Sequence, residues 1–291
     1  MKQLKTEVID KNFGSIMILV PHQDDEILMA AGIMEQAVRE GVDVNLVMVT
    51  NGDYGSSDYS IGRKRLKESI AGLEVLGLTR ESLILLGYAD TGMPQEDSFL
   101  TRLYESEDAE KVWESHCSDQ TYGLEDQGEY HLQKQGRHAA YTRKNCYEDI
   151  MGVIRDYKPE NIFTTSLEDT HGDHSGLFLF VQEALKELET EGYMPRLYSG
   201  IVHSKAGDER WPKRTEAVTC FTCPDYFDDL GKLKWEDRVI FEVPEDMREK
   251  DPGKNRKALA LSEHRTALKP DAVNFLYSFV KSEEIFWKVN E

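Results

Sequence analysis

Apolar and polar residues alternate in two ways along the chain. Short apolar runs are typical of buried parallel strands, and longer segments with apolar residues at helical spacing are typical of helices. The predicted strands are 15–20, 44–50, 82–86, 161–165 and 197–203. The predicted helices are 27–40, 62–76, 141–157, 176–191, 256–268 and 272–280. This alternation predicts an α/β fold with a mostly parallel sheet flanked by helices.

The regular pattern is interrupted between Met93 and Gln135. This segment is acidic, polar and aromatic, and its apolar residues follow no clear period. An inserted lid, a docking surface and a decorated loop are all consistent with such a segment. We therefore expect one domain over residues 1–291, with 93–135 as an insertion.

Composition limits the class of protein. The chain has 291 residues, 40% of them hydrophobic, which favours one large core over two small ones. Its formal net charge is -19, and such an acidic excess argues against nucleic acid or an anionic membrane as a partner. The apolar run at 16–20 is too short for a signal peptide or a membrane helix, so we expect a cytoplasmic protein without membrane insertion.

Four cysteines are present, and in a chain of this length they indicate reduced thiols rather than a disulfide framework. Cys220 and Cys223 form a CxxC pair, which suits half a zinc site or a redox pair. The sequence has no second CxxC, and no βαβ pattern follows this one. We therefore favour a purely structural interpretation of the pair.

The first cluster of chemically active side chains follows the first predicted strand. Residues 21–26 read Pro-His-Gln-Asp-Asp-Glu and open the first helix. Ligands bind at the carboxyl ends of parallel strands, and a cation relieves the repulsion between neighbouring carboxylates. The alternative is an aspartate pair that caps the helix, with His22 as an incidental turn residue.

A second cluster, His-Gly-Asp-His at 171–174, follows the predicted strand at 161–165 and precedes a helix. Its two histidines can turn towards one pocket, although two solvated loop histidines are an alternative. Both clusters fall at the same edge of the predicted sheet. Together they offer the three nitrogen and oxygen ligands of a catalytic zinc, with a fourth position left for water.

The paired motifs resemble those of the PIG-L/LmbE-like de-N-acetylases, which are metal-dependent enzymes that act on N-acetylglucosamine-containing substrates. The resemblance implies a Rossmann-like fold. Supporting stretches are Thr-Asn-Gly-Asp at 50–53 and residues 86–93. The second stretch resembles a family region in which an acid contacts the sugar. Residues 264–267 resemble a C-terminal His-x-Ser-Gln stretch, from which Thr266 and Ala267 depart. Gln23 and Gly172 each replace a usual proline, which changes the turns without removing a ligand.

The family's residue roles carry over onto matching positions. The resemblance implies that His22, Asp25 and His174 ligate the metal. It implies that Asp24 is the general base and that His171 stabilises the oxyanion or acts as an acid. It also implies that Arg65, Asp90 and His264 bind substrate.

These roles fit amide hydrolysis. Zinc lowers the pKa of a bound water towards about 7 and polarises the acetyl carbonyl. Asp24 would accept the proton of this water, and protonated His171 would face the developing negative charge. We expect the Asp173 carboxylate to hold the His171 ring.

Two other functions remain open at this point. The Asp24–Asp25 pair suits a magnesium-dependent phosphate-transfer enzyme, although histidine ligands disfavour magnesium. A non-catalytic carbohydrate-binding protein on the same fold is the other alternative. The expected partner is a small N-acetylated sugar, and Fe²⁺ or Mn²⁺ are alternatives to Zn²⁺. The sequence leaves the group attached to the sugar and the oligomeric state open.

Overall fold

The computed structural model describes residues 5–92, 95–225, 227 and 232–289. Its centre is one mixed sheet in the order β1-β7-β8-β6-β5-β2-β3-β4. The strands are β1 (Lys5–Glu7), β2 (Ile16–Val20), β3 (Val44–Thr50), β4 (Leu83–Tyr88), β5 (Asn161–Thr165), β6 (Arg196–Gly200), β7 (Val239–Glu242) and β8 (Glu283–Lys288). Only β8 runs antiparallel to its neighbours within the described residues.

Helices cover both faces of this sheet. They are α1 (Asp25–Glu40), α2 (Ser60–Val75), α3 (Phe99–Tyr104), α4 (Tyr130–Gln135), α5 (Arg143–Tyr157), α6 (Gly172–Thr190), α7 (Arg256–Ser262) and α8 (Val273–Tyr277). Alternate side chains of β2 enter two separate cores: Ile18 packs in one and Leu19 in the other. This is why the strand reads as a continuous apolar run. In the described ranges, no helix has the length and apolarity that a membrane crossing requires.

The structure confirms the predicted α/β class and the mostly parallel sheet. It differs most near the C-terminus, where β7 and β8 occupy segments with no strand prediction. The helix predicted over 256–268 ends at Ser262, and the one predicted over 272–280 ends at Tyr277. Strand β8 begins with two buried glutamates, Glu283 and Glu284, so its sequence lacks the apolar start of the other strands.

The inserted segment packs against the start of α6. Thr101 Oγ1 donates a hydrogen bond to the Gly172 carbonyl over 2.5 Å, and the Leu100 N–H donates to Asp173 Oδ1 over 2.7 Å. A Cβ on Gly176 would stand 2.6 Å from the Thr101 nitrogen, so glycine permits this close approach. The segment therefore forms a wall beside the second motif. Its first two residues, 93 and 94, lie outside the described residues.

Helix α1 is broken near its middle, because Ala30 has a non-helical backbone (φ -138°, ψ 18°). The Glu284 carboxylate accepts hydrogen bonds from the N–H groups of Gly32 and Ile33 at 2.9 and 3.0 Å. The Lys257 ammonium donates to the Leu28 carbonyl at 2.9 Å and to Glu284 at 2.8 Å. A buried ion pair from the C-terminal region therefore satisfies the polar groups that the break releases.

Candidate active site

Both sequence motifs lie at the carboxyl edge of the sheet. His22 follows β2 and His171 follows β5, and these strands are parallel neighbours. The structure places His22 Nδ1, Asp25 Oδ2 and His174 Nε2 together, with separations of 3.4, 3.3 and 3.3 Å. Two loops that are remote in sequence thus converge on one point, and we call these three side chains the ligand trio.

The spacing of the ligand trio matches a tetrahedral ion better than a set of hydrogen bonds. Ligands at about 2.0–2.1 Å from a tetrahedral zinc stand roughly 3.3–3.4 Å apart, which is the edge of the tetrahedron. Good N–H···O hydrogen bonds are shorter, at about 2.7–3.2 Å. Two further groups have ligand atoms that all lie within 4.8 Å of one another: His22 with His171 and His174, and His22 with Asp90 and Asp173. The residues present therefore fit a divalent metal, and the spacing of the trio is that of a tetrahedral site.

Each histidine of the trio has a carboxylate behind it. His22 Nε2 lies 3.1 Å from Asp173 Oδ2, and His174 Nδ1 lies 3.1 Å from Asp169 Oδ2. A proton on each of these outer nitrogens donates to the carboxylate and leaves the inner nitrogen's lone pair for a metal. Asp169 was not predicted from the sequence, and its position two residues before His171 was the available signal.

The role expected for Asp173 is wrong in detail. Its carboxylate holds His22, not His171, because one oxygen faces His22 and the other accepts the Leu100 N–H. Only the Asp173 backbone N–H contacts His171, donating to Nδ1 over 3.2 Å at the start of α6.

The surroundings of His171 favour the neutral form of its ring. Burial, together with the nearby His22 and His174 rings, lowers the pKa of His171 far below its usual value. Its Nδ1 already accepts the Asp173 N–H, so its proton is on Nε2. This hydrogen bond favours a neutral ring over the expected protonated His171, and a neutral ring still offers one N–H donor.

Strong negative charge surrounds the ligand trio. Burial by itself lowers the pKa of His22, but Asp90, Asp173 and Asp25 raise it well above 6.5. Likewise, burial favours a protonated Asp25, while His174 holds the pKa of Asp25 well below its usual value. The same field that attracts protons to the imidazoles favours a cation between them.

Asp24 lies beside the ligand trio but is not part of it. Burial raises the pKa of its carboxyl to about 6, against the lowering effect of the Arg65 guanidinium 3.9 Å away. Arg65 is fixed by two backbone carbonyls: it donates to Gly52 at 3.1 Å and to Gln23 at 2.8 Å. Asp90 lies 3.8 Å from the same guanidinium. Asp24, Arg65 and Asp90 line one opening. The expected role of Arg65 and Asp90 in binding substrate stays a prediction.

His264 occupies a different place from the one expected. It is fully buried and does not line the cavity, and its Nε2 lies 3.4 Å from Glu26 Oε1. Burial and the Arg65 charge lower its pKa to about 3. The structure therefore places His264 beneath the cavity lining, next to Glu26 and away from the open space.

His203 is a cavity residue that the sequence analysis missed. Its Nδ1 lies 3.1 Å from Asp208, its ring stacks on Phe275 at 5.0 Å, and its centroid is 5.5 Å from that of His174. A histidine at the carboxyl end of a predicted strand was the available signal. Cys220 and Cys223 are exposed, and neither joins a possible metal cluster in the described part of the chain.

These side chains line a cavity of about 530 Å³, which we call the metal cavity. Its size is that of an ordinary small-molecule site, for which about 300–1,000 Å³ is typical. His22 and Asp25 of the trio line it together with Tyr54 and Phe275, and His174 lies buried behind them. The arrangement provides a cation site, an adjacent carboxylate and a neutral imidazole donor around one open space.

The chain shares its fold with solved structures of different activities. N,N′-diacetylchitobiose deacetylase from Pyrococcus horikoshii superposes with a TM-score of 0.54 at 14% identity, over 96% of this chain and 85% of that one. The 4-carboxy-2-hydroxymuconate hydratase GalB from Pseudomonas putida KT2440 superposes with a TM-score of 0.50 at 14% identity, over 96% and 97%. Such low identities establish the fold alone.

Sequence similarity is more specific. Mycothiol S-conjugate amidase from Streptomyces coelicolor is 34% identical over 93 residues, covering 28% of this chain and 31% of that protein. The match thus spans about a third of that relative's length. The family model described as GlcNAc-PI de-N-acetylase (PIG-L) matches residues 17–185, more than half of the chain. The chain therefore belongs to the PIG-L family.

Proposed function

We propose that this protein is a metal-dependent hydrolase that removes the acetyl group from an N-acetylglucosamine-type sugar amide. The observation that carries the proposal is the ligand trio, with three atoms 3.3–3.4 Å apart beside the Asp24 carboxylate. Membership of a de-N-acetylase family supports the same reaction.

His22, Asp25 and His174 would hold the metal. A bound divalent ion would polarise the acetyl carbonyl and acidify water at the site. The two imidazoles and one carboxylate suit Zn²⁺, with Fe²⁺ or Mn²⁺ as alternatives. They disfavour the magnesium-dependent phosphate-transfer alternative, because magnesium prefers oxygen ligands.

Asp24 is the proposed general base. Its carboxylate opens to the metal cavity, and its neighbour Asp25 points into the trio. Because Asp24 is not itself in the trio, it is free to take a proton from the attacking water and pass one to the departing amine. General acid–base catalysis of this kind contributes about 10²–10⁴-fold in rate.

His171 is the proposed oxyanion donor. Its Nδ1 is occupied by the Asp173 N–H, so Nε2–H is the group that it offers to the metal cavity. One preorganised donor to an oxyanion contributes about 3–4 kcal/mol. The neutral ring supplies this hydrogen bond without adding a positive charge.

Arg65 and Asp90 are the proposed sugar-binding residues. Both line the metal cavity, and both are held from behind: Arg65 by the Gly52 and Gln23 carbonyls, and the Asp90 N–H by Asp53 Oδ1 at 3.0 Å. A fixed guanidinium and a fixed carboxylate offer donors and an acceptor to sugar hydroxyls.

The test compares metal content and acetate release in three variants. Asp24→Asn should keep about one metal per chain and lose about 10²–10⁴-fold in acetate release from N-acetylglucosaminides. His174→Ala should lose both metal and activity. Asp119→Asn changes an exposed aspartate and should alter neither. Parent-like turnover in Asp24→Asn would refute the role of the base, and acetate release by metal-free protein would refute the metal requirement.

A further inference from the structure

Asp53 connects the lining of the metal cavity to the inserted segment. It is buried, and its carboxylate accepts three hydrogen bonds. The Asp90 N–H donates to Oδ1 over 3.0 Å, while the Tyr122 hydroxyl and the Cys117 thiol each donate to Oδ2 over 2.9 Å. Asp90 lines the metal cavity, whereas Tyr122 and Cys117 belong to the inserted segment and lie outside the lining. One carboxylate therefore joins a proposed sugar-binding residue to the insertion.

Tyr122 fits closely against the elements on either side of it. A Cβ on Gly62 would stand 2.1 Å from the Tyr122 hydroxyl oxygen, and one on Gly87 would stand 2.3 Å from the Tyr122 carbonyl oxygen. The Tyr59 ring stacks on the Tyr122 ring, with 4.1 Å between the centroids. The Asn51 side chain donates to the Tyr122 carbonyl over 3.0 Å. Two glycines thus permit the close approach of Tyr122, and these contacts fix the position of its hydroxyl.

The Tyr122 hydroxyl keeps its proton in this position. Burial first, and the Asp53 carboxylate second, raise the pKa of Tyr122 far above its ordinary value of 10.0. A hydrogen bond to a carboxylate is stronger than one between neutral groups, and a thiol is a weaker donor than a hydroxyl. Tyr122 therefore contributes more than Cys117 to holding Oδ2 of Asp53.

The position of Asp90 depends on the carboxylate of Asp53. The nearest charged groups to the Asp90 side chain are Arg65 Nη1 and His22 Nε2, each 3.8 Å from a carboxylate oxygen. Both separations exceed the length of a hydrogen bond. The bond from the Asp90 N–H to Asp53 is shorter, at 3.0 Å, and it fixes the backbone from which the side chain projects.

We propose that Tyr122 is a positioning residue for substrate binding: its hydroxyl fixes Asp53, and Asp53 fixes Asp90 at the wall of the metal cavity. The inference rests on the proposed function, in which Asp90 binds the sugar, and deepens it. Tyr122 acts through these two aspartates and does not itself reach the open space. The inserted segment thereby influences sugar binding, although none of its described residues lines the metal cavity.

The test removes the Tyr122 hydroxyl and follows Asp90 in two ways. Tyr122→Phe keeps the ring and loses the donor. Hydrogen exchange at residue resolution measures the protection of the Asp90 N–H. Acetate release from methyl N-acetylglucosaminide by metal-loaded protein gives kcat and KM, and metal content is measured on the same samples.

Tyr130→Phe is the matched control. Tyr130 also lies in the inserted segment, and its hydroxyl donates to the Asp156 carboxylate over 2.8 Å. It also packs against a glycine, since a Cβ on Gly152 would stand 2.7 Å from its hydroxyl oxygen. Tyr130→Phe therefore removes an equivalent hydrogen bond from the same segment without touching Asp53.

Tyr122→Phe should speed exchange of the Asp90 N–H and raise KM, each roughly ten-fold, with kcat and metal content close to the parent values. In an Asp90→Asn background, Tyr122→Phe should have little further effect on KM, because both changes act on the same contact to the sugar. Cys117→Ala removes the weaker donor to Asp53 and should give the same changes to a smaller extent. Cys117→Ser keeps a donor and should resemble the parent, as should Tyr130→Phe.

Parent-like exchange of the Asp90 N–H in Tyr122→Phe overturns the proposal. Equal acceleration in Tyr122→Phe and Tyr130→Phe overturns it too, because it would show a general loosening of the inserted segment. Effects of Tyr122→Phe and Asp90→Asn on KM that simply add would exclude a route through Asp90. Faster exchange in Tyr122→Phe alone, without acetate release by any of the proteins, overturns the deacetylase function and leaves the positioning of Asp90 standing.

Discussion

The backbone N–H of Asp24 donates a hydrogen bond to the Glu26 carboxylate, with 2.9 Å between the nitrogen and Oε2. Asp24 has φ 117°, a backbone conformation that costs a residue with a side chain about 1–3 kcal/mol. Glu26 is wholly buried. It therefore helps to hold the strained turn that presents the proposed base.

Replacing Glu26 tests the contribution of this contact, and Glu26→Gln is a close mimic because burial raises the pKa of Glu26 to about 8. Glu26→Gln keeps an oxygen that accepts the Asp24 N–H, whereas Glu26→Ala leaves that N–H without a partner. We expect Ala to lower kcat for acetate release by about 10–100-fold, since a buried unpaired donor costs about 1–3 kcal/mol, and Gln to keep most of the rate. Steady-state kinetics with metal content as a control measure both. Equal losses in the two variants would show that the hydrogen bond does not position Asp24.

The carboxylates behind the metal-ligand histidines should control metal affinity. Asp173→Asn and Asp169→Asn each weaken the partner of an outer imidazole nitrogen, and such changes cost about 10–100-fold in affinity. Asp208→Asn is the matched control, because Asp208 contacts His203, which is not a proposed ligand. Competition with a chromogenic chelator measures the affinities. Parent-like affinity in both Asp173→Asn and Asp169→Asn would contradict the assignment of the trio.

The ion pair at the break in α1 should matter for stability. Lys257→Met leaves the Glu284 carboxylate buried without its cation, and removing one partner of a buried pair costs about 3–5 kcal/mol. Lys144→Met breaks an exposed pair with Glu110 and should leave the free energy of unfolding almost unchanged. Urea unfolding compares the two variants. Similar urea midpoints for the two variants would show that the buried ion pair contributes little to stability.

Stability should also depend on pH through His131. Its hydrogen bond to Asp149, 2.8 Å long, raises the pKa of His131 in the folded protein. Folding therefore favours the protonated ring, and this contribution is present below the unfolded pKa of about 6.5 and lost as pH rises through the higher folded value. We expect the difference in unfolding free energy between the parent and His131→Gln to shrink from pH 6 to pH 9. A difference that grows with pH would contradict the sign.

The sequence predicted those site residues that directly follow an apolar strand, and it did not predict the others. Strands β2 and β5 are apolar runs, and each is followed at once by His/Asp residues, so their convergence followed from parallel pairing. Asp169 and His203 were not predicted, because their roles depend on contacts between loops at the edge of the sheet. Nothing local distinguishes the buried carboxylate of Asp169 from that of any loop aspartate. His264 was misplaced because resemblance gives a residue's position in the chain, not the direction of its side chain.

The end of the chain was harder to predict for a related reason. Strand β7 has four residues, and β8 opens with Glu283 and Glu284, which look like a solvated surface. Glu284 is buried because it binds Lys257 and the N–H groups of α1, and this network is visible only in three dimensions.

Because α1 depends on Lys257 and Glu284, we expect the family region to be less stable when excised than in the whole chain. A fragment ending at residue 185 would contain every proposed metal ligand but would leave the N–H groups of Gly32 and Ile33 unsatisfied. These two N–H groups are separated from Glu284 by 252 and 251 residues in sequence, so the shape of the helix that carries Asp25 depends on the far end of the sheet.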